Sequence, residues 1–149
     1  MEKVTYGDLM GLLNGIQLME YKAYDEIDDI KPTLMIKVIK NRRAILNSLA
    51  GFEERRKELM EELGKRNKKT NDLVLKDDLV QMTKKNEAQF RESMQALANT
   101  TVTAEFTKFG AQELEDSGLA CCPSKNKFIP IVLEYLTDEK EEDVIITQE

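Results

Sequence analysis

The chain contains no histidine and no tryptophan among its 149 residues. Because histidine is the commonest general base and metal ligand, its absence excludes Ser-His-Asp and Cys-His catalytic arrangements and histidine metal sites. The two cysteines, Cys121 and Cys122, are sequence neighbours. They lack the two-residue spacing of a redox or zinc motif and cannot easily close a structural loop. We therefore expect no metal site and a reduced, intracellular chain.

Long apolar runs and phosphate-binding motifs are also missing. No stretch approaches about 20 consecutive apolar residues, the length that a membrane span requires, and the chain starts with a charged pair, Glu2 and Lys3. Neither Gly-x-x-x-x-Gly-Lys-Ser/Thr nor Gly-x-Gly-x-x-Gly occurs. The acids are scattered over charged runs without the aromatic platform of a sugar site. We predict a cytoplasmic protein that is not an enzyme and binds no cofactor.

Acidic residues outnumber basic residues by 28 to 22, which gives a formal net charge of −6 and a sequence pI of about 4.9. This balance disfavours a general anionic partner such as duplex DNA or a membrane surface. The basic stretch 65–72 has no glycine-rich cradle for phosphate and no aromatic residue to stack on a base. We therefore expect no membrane partner, and nucleic acid is a less favoured partner than protein.

The segment 33–63 carries the longest unbroken helical periodicity in the chain and contains no proline. At a rise of about 1.5 Å per residue, the predicted helix is about 45 Å long. Pro32 and Thr33 mark its start and Gly64 marks its end. Its stripe recurs at alternating intervals of three and four residues. The stripe runs through Met35, Val38, Arg42, Ile45, Leu49, Phe52, Arg56, Leu59 and Leu63.

A shorter helix is predicted near the N-terminus. Thr5 and Asp8 form a Thr-x-x-Asp pattern close to a capping box, and apolar residues follow at helical spacing over about 12 to 15 residues. Gly11 and Gly15 share one face, which predicts that another backbone approaches closely there. The acid-rich residues 20–29 are expected to form a connector with at most a helical turn.

The second half of the chain contains a helix and β-rich segments. An amphipathic helix is predicted from about Asp77 to Ala98, antiparallel to the central helix, which it covers. Residues 101–107 are rich in β-branched residues and alternate apolar with polar ones, so we predict a strand that pairs with the apolar run 144–146. A short C-terminal helix is expected from about Pro130.

Together these elements predict a mainly α (α+β) fold. It consists of an N-terminal helix, a long central helix in an antiparallel helical hairpin, a small two-stranded β element and a short C-terminal helix. We expect a single domain over 1–149, with a helical core at 5–98 and a small α/β part at 99–149. Because an isolated amphipathic helix is unstable as a monomer, the central stripe must be covered by the chain itself or by a second copy.

Basic residues crowd the first half of the central helix, where no acid occurs before Glu53. Positive charge near a helix N-terminus is unfavourable, so negative charge from the connector 20–29 or the tail 138–143 should offset it. Arg42 and Arg56 fall on the stripe, where an unpaired buried guanidinium costs several kcal/mol. They either dock on internal acids or mark a face that receives a partner. The candidate partner-binding residues are Lys40, Arg42, Arg43, Arg55 and Arg56.

The central helix also carries a family resemblance. Lys40-Asn41 is followed by Phe52-Glu53-Glu54, by Arg56 and Leu59, and then by a polar loop, a second helix, a β-rich segment and a short C-terminal helix. Over residues 5–137 this pattern resembles a family of small phage and prophage proteins of unknown function from Gram-positive hosts. The chain departs from the pattern in the acidic segment 20–29 and beyond Thr137.

Three functional hypotheses follow. The resemblance, the acidic charge and the lack of catalytic groups favour a non-enzymatic phage protein in the host cytoplasm that binds a host or phage protein, with inhibition of a host defence or replication protein as the sharper version. The second hypothesis is a virion-assembly or scaffolding component that self-associates through the Met35–Leu63 stripe. The third is a nucleic-acid-binding accessory protein that uses Lys65–Lys69 together with Lys37, Lys40, Arg42 and Arg43.

Overall fold

A 32-residue helix, α2 (Pro32–Leu63), is the longest element of the computed structural model. The structure describes residues 1–25, 30–119 and 127–138. Within these residues, five helices and two two-stranded antiparallel sheets form, which confirms the mainly α (α+β) fold class. The other elements are β1 (Glu2–Thr5), α1 (Tyr6–Asp25), β2 (Leu75–Lys76), β3 (Leu79–Val80), α3 (Lys84–Ala98), β4 (Thr101–Ala104), α4 (Ala111–Ser117) and α5 (Ile129–Leu136).

The apolar stripe of α2 is buried by the chain itself. Helix α1 packs antiparallel along α2 from Arg42, which pairs with Glu20, to Phe52, whose ring centroid lies 5.6 Å from that of Tyr6. Helix α3 packs antiparallel against the second half of α2, where Asn86 Nδ2 donates to the Leu63 carbonyl at 3.0 Å. The antiparallel helical hairpin is therefore confirmed. The buried residues of α2 are Leu34, Val38, Asn41, Ile45, Leu49, Phe52, Leu59 and Leu63.

The predicted end of α2 is correct, but its physical reason is packing. Gly64 follows the helix with φ −69° and ψ 145°, an extended conformation open to any residue. A Cβ at this position would lie 2.6 Å from both Leu73 Cδ2 and the Met60 carbonyl oxygen, and 2.7 Å from Val80 Cγ1. The missing side chain therefore lets the following β-hairpin pack directly against the end of the helix.

Helix α1 starts where it is predicted and is longer than predicted. The Asp8 N–H donates to Thr5 Oγ1 at 3.1 Å, which is the expected cap. The helix continues for 20 residues because Met19 and Ala23 extend the stripe that is buried against α2. The predicted connector is therefore wrong over its first part, which is helical. Its remainder, 26–29, lies outside the described residues.

Gly11 and Gly15 allow helix α5 to cross α1 closely, as the sequence predicts. A Cβ at Gly15 would lie 2.6 Å from Val132 Cγ2, 3.2 Å from Phe128 Cβ and 3.5 Å from the Phe128 carbonyl oxygen. A Cβ at Gly11 would lie 3.5 Å from Ile131 Cδ1. Two glycines one turn apart thus take the place of side chains that would hold the two helices apart.

A β-hairpin occupies the segment where the second helix was predicted to start. Strands β2 and β3 are joined by Asp77 and Asp78, whose φ angles of 53° and 64° are those of a type I′ turn. Aspartate tolerates this left-handed conformation, but Asp-Asp is a weaker turn signal than Asn-Gly. Helix α3 begins only at Lys84, after Thr83, whose Oγ1 accepts the Asn86 N–H at 3.1 Å.

The strand predicted within 101–107 is confirmed as β4, but its partner is β1 at the N-terminus. The two strands are antiparallel, with Val4 opposite Val102. The expected partner, 144–146, lies outside the described residues. Strand β1 was not predicted because it has only four residues, of which Val4 alone is buried. An alternation of apolar and polar residues this short does not indicate a strand.

Polar side chains join segments that are distant in sequence. Asn41 is fully buried; its amide donates to the Thr107 carbonyl and its Oδ1 accepts the Thr107 N–H, both at 2.8 Å. The buried apolar cluster contains residues from Val4 to Leu136, so both the 5–98 and the 99–149 parts contribute to one core. None of the helices in the described ranges combines the length and apolar character that a membrane crossing needs.

Candidate functional site

The five cations of α2 that the sequence predicts to bind a partner are not brought together. Lys40 and Arg56 lie on one helix and are separated by about 24 Å. Arg42 turns toward α1, where its Nη1 lies 3.2 Å from Glu20 Oε1, and the Glu20 side chain is only 12% exposed. The fold therefore uses Arg42 to join α1 to α2. Glu20 supplies the negative charge that the sequence predicts from the acidic segment.

Arg55 and Arg56 pair with acids of their own helix. Arg55 Nη1 donates to Glu58 at 2.9 Å and to Glu62 at 3.3 Å, and Arg56 donates to Glu53 at 3.3 Å. The hydrogen bonds to Glu58 and then Glu62 raise the pKa of Arg55. Because these pairs are exposed, they contribute little to folding. Their guanidiniums are engaged along the helix, which makes them poor candidates for the first contact with a partner.

Lys40 and Arg43 are the two predicted cations that are exposed and that pair with no acid among the described residues. They lie one turn apart, opposite the buried stripe, and neither forms an ion pair within the part of the chain that the structure describes. Leu46, which is also exposed, flanks them. We define the outer face of α2 by its exposed positions at helical spacing. These are Ile36, Lys40, Arg43, Asn47, Ala50, Glu54, Glu58 and Glu61.

A further cation of α2, Lys37, is neutralised by α4. Its Nζ donates to Glu113 Oε2 at 2.7 Å. This hydrogen bond, together with one from the Gly110 N–H at 3.2 Å, lowers the pKa of Glu113. The two residues are 76 positions apart, and α4 was not predicted, so the sequence offered no signal for the pair. Of the four basic residues in the first half of α2, two are thus paired internally and two are free.

A polar cluster joins the ends of the described chain. The Tyr135 hydroxyl donates to Asp8 Oδ2 at 2.8 Å, and burial followed by this hydrogen bond raises the pKa of Tyr135 to about 12. Lys108 Nζ donates to the Glu2 carboxylate and to the Tyr135 carbonyl. The cluster joins β1, α1 and α5. Among the described residues, no group of three or more Cys, Asp or Glu side chains is placed to hold a metal ion.

The β2–β3 hairpin exposes large aliphatic side chains that sequence reasoning missed. Leu75 is 58% exposed and Leu79 is 67% exposed, and Val74 is exposed beside them. A helix from Asp77 would have placed Leu79 on its covered face, whereas the hairpin turns it outward. Leu75 lies opposite Val80 and Lys76 lies opposite Leu79, so Val74, Lys76 and Leu79 share one face of the hairpin and Leu75 lies on the other. We define the hairpin surface as Val74, Lys76 and Leu79 with the exposed lysines that flank them in the sequence. These lysines are Lys65, Lys68, Lys69, Lys84 and Lys85.

The charge of this region is opposite in sign to that of the whole chain. Residues 65–85 contain seven basic side chains against three acidic ones, whereas the chain carries a net charge of −6. The lysines of the hairpin surface are exposed and form no ion pair with any described residue. Asp77 and Asp78 lie at the apex of the turn. The hairpin surface therefore combines exposed aliphatic side chains with basic ones and has an acidic tip.

Backbone hydrogen bonds hold the hairpin rigidly on the end of α2. The Lys65 N–H donates to the Gln81 carbonyl at 2.7 Å, the Gln81 N–H to the Val74 carbonyl at 2.9 Å, and the Val74 N–H to the Lys65 carbonyl at 2.8 Å. Arg66 adds a bond from its Nη1 to the Asn71 carbonyl at 2.9 Å. This closed ring of bonds fixes the hairpin surface in place, which limits the entropy that a partner must remove on binding.

No protein-family model, curated protein or solved structure matches the chain. The chemistry of the two exposed surfaces must therefore be inferred from their own side chains.

The basic residues proposed for a nucleic-acid site do not form one patch. Lys65–Lys69 lie beyond the C-terminal end of α2, whereas Lys40 and Arg43 lie in its first half, about 30 Å away along the axis. Lys37 and Arg42 are occupied by Glu113 and Glu20. The cations named in the third hypothesis therefore do not form the continuous track that binding along a phosphate backbone requires.

Proposed function

We propose that this protein acts by contact, as a non-enzymatic, phage-encoded protein that binds an acidic surface of a host or phage protein through its hairpin surface. The observation that carries the proposal is the exposure of Val74 and Leu79 on one face of the hairpin, near lysines that form no ion pair with any described residue, on a molecule of acidic net charge. Exposed aliphatic groups gain free energy when a partner removes them from water, and the lysines select a partner of opposite charge.

The composition of the hairpin surface favours a protein over a phosphate polymer or a lipid surface. Its centre consists of aliphatic side chains and contains no aromatic ring for base stacking. Asp77 and Asp78 at the apex would repel a phosphate backbone or an anionic headgroup that approached the tip. A protein partner can match each part of the hairpin surface. It can place apolar side chains against the aliphatic centre, carboxylates against the lysines, and a basic or amide group against the apex.

The biological setting of the proposal comes from the resemblance to small phage and prophage proteins. In that setting the protein occupies a surface that a host defence or replication protein needs, and so inhibits it. The virion-assembly alternative loses its proposed interface, because the Met35–Leu63 stripe is covered by α1 and α3. Self-association would require a different face.

The proposal is tested by quantitative capture from lysate of a Gram-positive host, with and without phage infection, followed by mass spectrometry. Leu79→Glu places a charge in the centre of the hairpin surface, and Lys76→Glu reverses the sign of the charge beside Leu79. Each is expected to reduce recovery of the specific partner about tenfold or more, because both apolar contact and charge complementarity are lost. Leu18→Glu, at an exposed position of α1, is the matched control and should leave recovery unchanged.

Three results would count against the proposal. Equal dependence of recovery on Leu18 and Leu79 would show that the contact is not specific. Unchanged recovery with both hairpin variants would place the contact elsewhere. Loss of recovery after nuclease treatment would favour the nucleic-acid alternative. Circular dichroism of each variant shows whether α3 and α2 remain folded, so that a loss of binding is attributed to the surface.

A further inference from the structure

The outer face of α2 divides by charge at its centre. Its first half presents Lys40 and Arg43 and no acid, and its second half presents Glu54, Glu58 and Glu61, with Lys57 at its edge. Lys37 and Arg42 form ion pairs with Glu113 and Glu20, whereas the two cations of the outer face form none with any described residue.

The spacing of these charges matches an antiparallel copy of the same helix. Arg43 and Glu54 are 11 residues, about three turns, apart and share one side of α2. When two such helices run antiparallel about a two-fold axis near Asn47 and Ala50, Arg43 of each faces Glu54 of the other. The same operation brings Lys40 within one residue of Glu58, whose carboxylate also accepts from Arg55 of its own helix. One two-fold axis therefore forms the Arg43–Glu54 pair twice.

The centre of the face permits close approach of two helices. Asn47 and Ala50 are exposed and have short side chains, so two helices can approach there before bulky groups collide. Leu46 lies beside them and Ile36 lies at the end of the face; both are exposed and would lose water on pairing. The outer face thus combines central small residues, flanking apolar groups and terminal charges of opposite sign.

We propose that the outer face of α2 is a dimer interface, and that its occupant is the outer face of a second copy in antiparallel orientation, with Arg43 of one protomer against Glu54 of the other. The interface is separate from the hairpin surface and independent of the proposed function. In this dimer the two hairpin surfaces lie at opposite ends of the helix pair, so the assembly presents two docking sites to partners.

Sedimentation velocity over a range of protein concentrations tests the interface by charge exchange. The parent is expected to dimerise, and more strongly at low salt because the contacts are exposed charges. Arg43→Glu and Glu54→Arg should each weaken dimerisation about tenfold or more, because each replaces two attractive pairs by two repulsive ones. An equimolar mixture of the two variants, and the double variant carrying both changes, should dimerise again, because opposite charges face each other once more.

Three results would overturn the proposed dimer interface. A parent that stays monomeric at every concentration overturns the interface, as does a double variant that fails to regain dimerisation. An open-ended series of larger species overturns the closed two-fold arrangement. Lys69→Glu, a charge reversal on the hairpin surface, is the control and should leave the dimer intact. Arg43 and Glu54 are exposed and unpaired within the described chain, so melting curves should show both variants folded.

Discussion

The two ends of α2 differ in how the chain covers them. The apolar residues Leu34, Val38 and Ile45 of the first half join the main apolar cluster, as do Leu49 and Phe52 of the second half, where Tyr6 of α1 packs against Phe52. Nearer the C-terminal end, Leu59 and Leu63 are buried outside that cluster, and the neighbouring helix α3 has no fully buried residue. Both halves share the same helical stripe, so the difference arises from what the rest of the chain places against it.

This difference predicts that substitutions around the N-terminal half of α2 cost more stability than substitutions around its C-terminal end. The buried Asn41 lies in the N-terminal half with both of its hydrogen bonds to Thr107, whereas α3 buries no residue completely. Matched substitutions in the two halves test this division.

The largest expected effect contrasts two phenylalanines. Phe109 is fully buried beside the first half, so Phe109→Ala should lower the free energy of unfolding by about 3–5 kcal/mol through lost burial and a residual cavity. Phe90 is half-buried on α3, so Phe90→Ala should cost about 1 kcal/mol. Urea unfolding followed by circular dichroism measures both values. Equal costs would show that the two halves are equally well packed.

A smaller contrast concerns two asparagines of similar chemistry. Asn41→Ala leaves the Thr107 N–H and carbonyl without their partner in a buried site, and the expected cost is about 2–4 kcal/mol. Asn86→Ala removes one bond to the Leu63 carbonyl near a helix end, which water can replace, so about 1 kcal/mol or less is expected. Thermal melts rank the two. A greater loss for Asn86 would contradict the division.

The smallest expected effect depends on pH. The pKa of Glu113 is lowered in the folded protein, so the native state binds this proton less tightly than the unfolded state does. Its stabilising contribution is therefore present above the ordinary value of 4.5 and is lost as pH falls below it. Glu113→Gln should be less stable than the parent at neutral pH, and the gap should narrow as the pH falls below 4.5 and through the lowered pKa of Glu113.

The control for the pH prediction lies in the second half of α2. Glu61→Gln removes an exposed partner of Arg66 but retains Glu113. Its free energy of unfolding should therefore fall in acid as that of the parent does. Urea unfolding of the parent and both variants across the acid range provides the measurement. If the gap between the parent and Glu113→Gln stayed constant with pH, the Lys37–Glu113 pair would not be the source of the effect.

Local patterns predicted the elements that obey strong periodicity or capping rules. The stripe of α2, the Thr5 cap of α1 and the close approach at Gly11 and Gly15 all follow from residue spacing and from what each residue type permits. The hairpin turn at Asp77 and Asp78 was missed because its residues adopt left-handed angles without the usual glycine. Local propensity therefore failed where tertiary packing chose the conformation.

The candidate site was predicted in part. Five cations of α2 are candidates by charge and position, but acids from α1 or from α2 itself engage three of them, and Lys40 and Arg43 have no acidic partner in the part of the chain that the structure describes. Neither Glu20 nor Glu113 is near its partner in sequence. Pairings of this kind depend on how helices are oriented, which a linear pattern of charges does not contain.

The amino-acid sequence alone determined the helical class, the length and inward face of α2, and the absence of histidine chemistry, because these depend on composition and on spacing within one segment. The tertiary structure decided which strand pairs with β4, which arginines are occupied and which leucines remain in water. Those outcomes require the relative positions of segments up to 106 residues apart, as for Glu2 and Lys108. Long-range packing creates them, and no local rule encodes them.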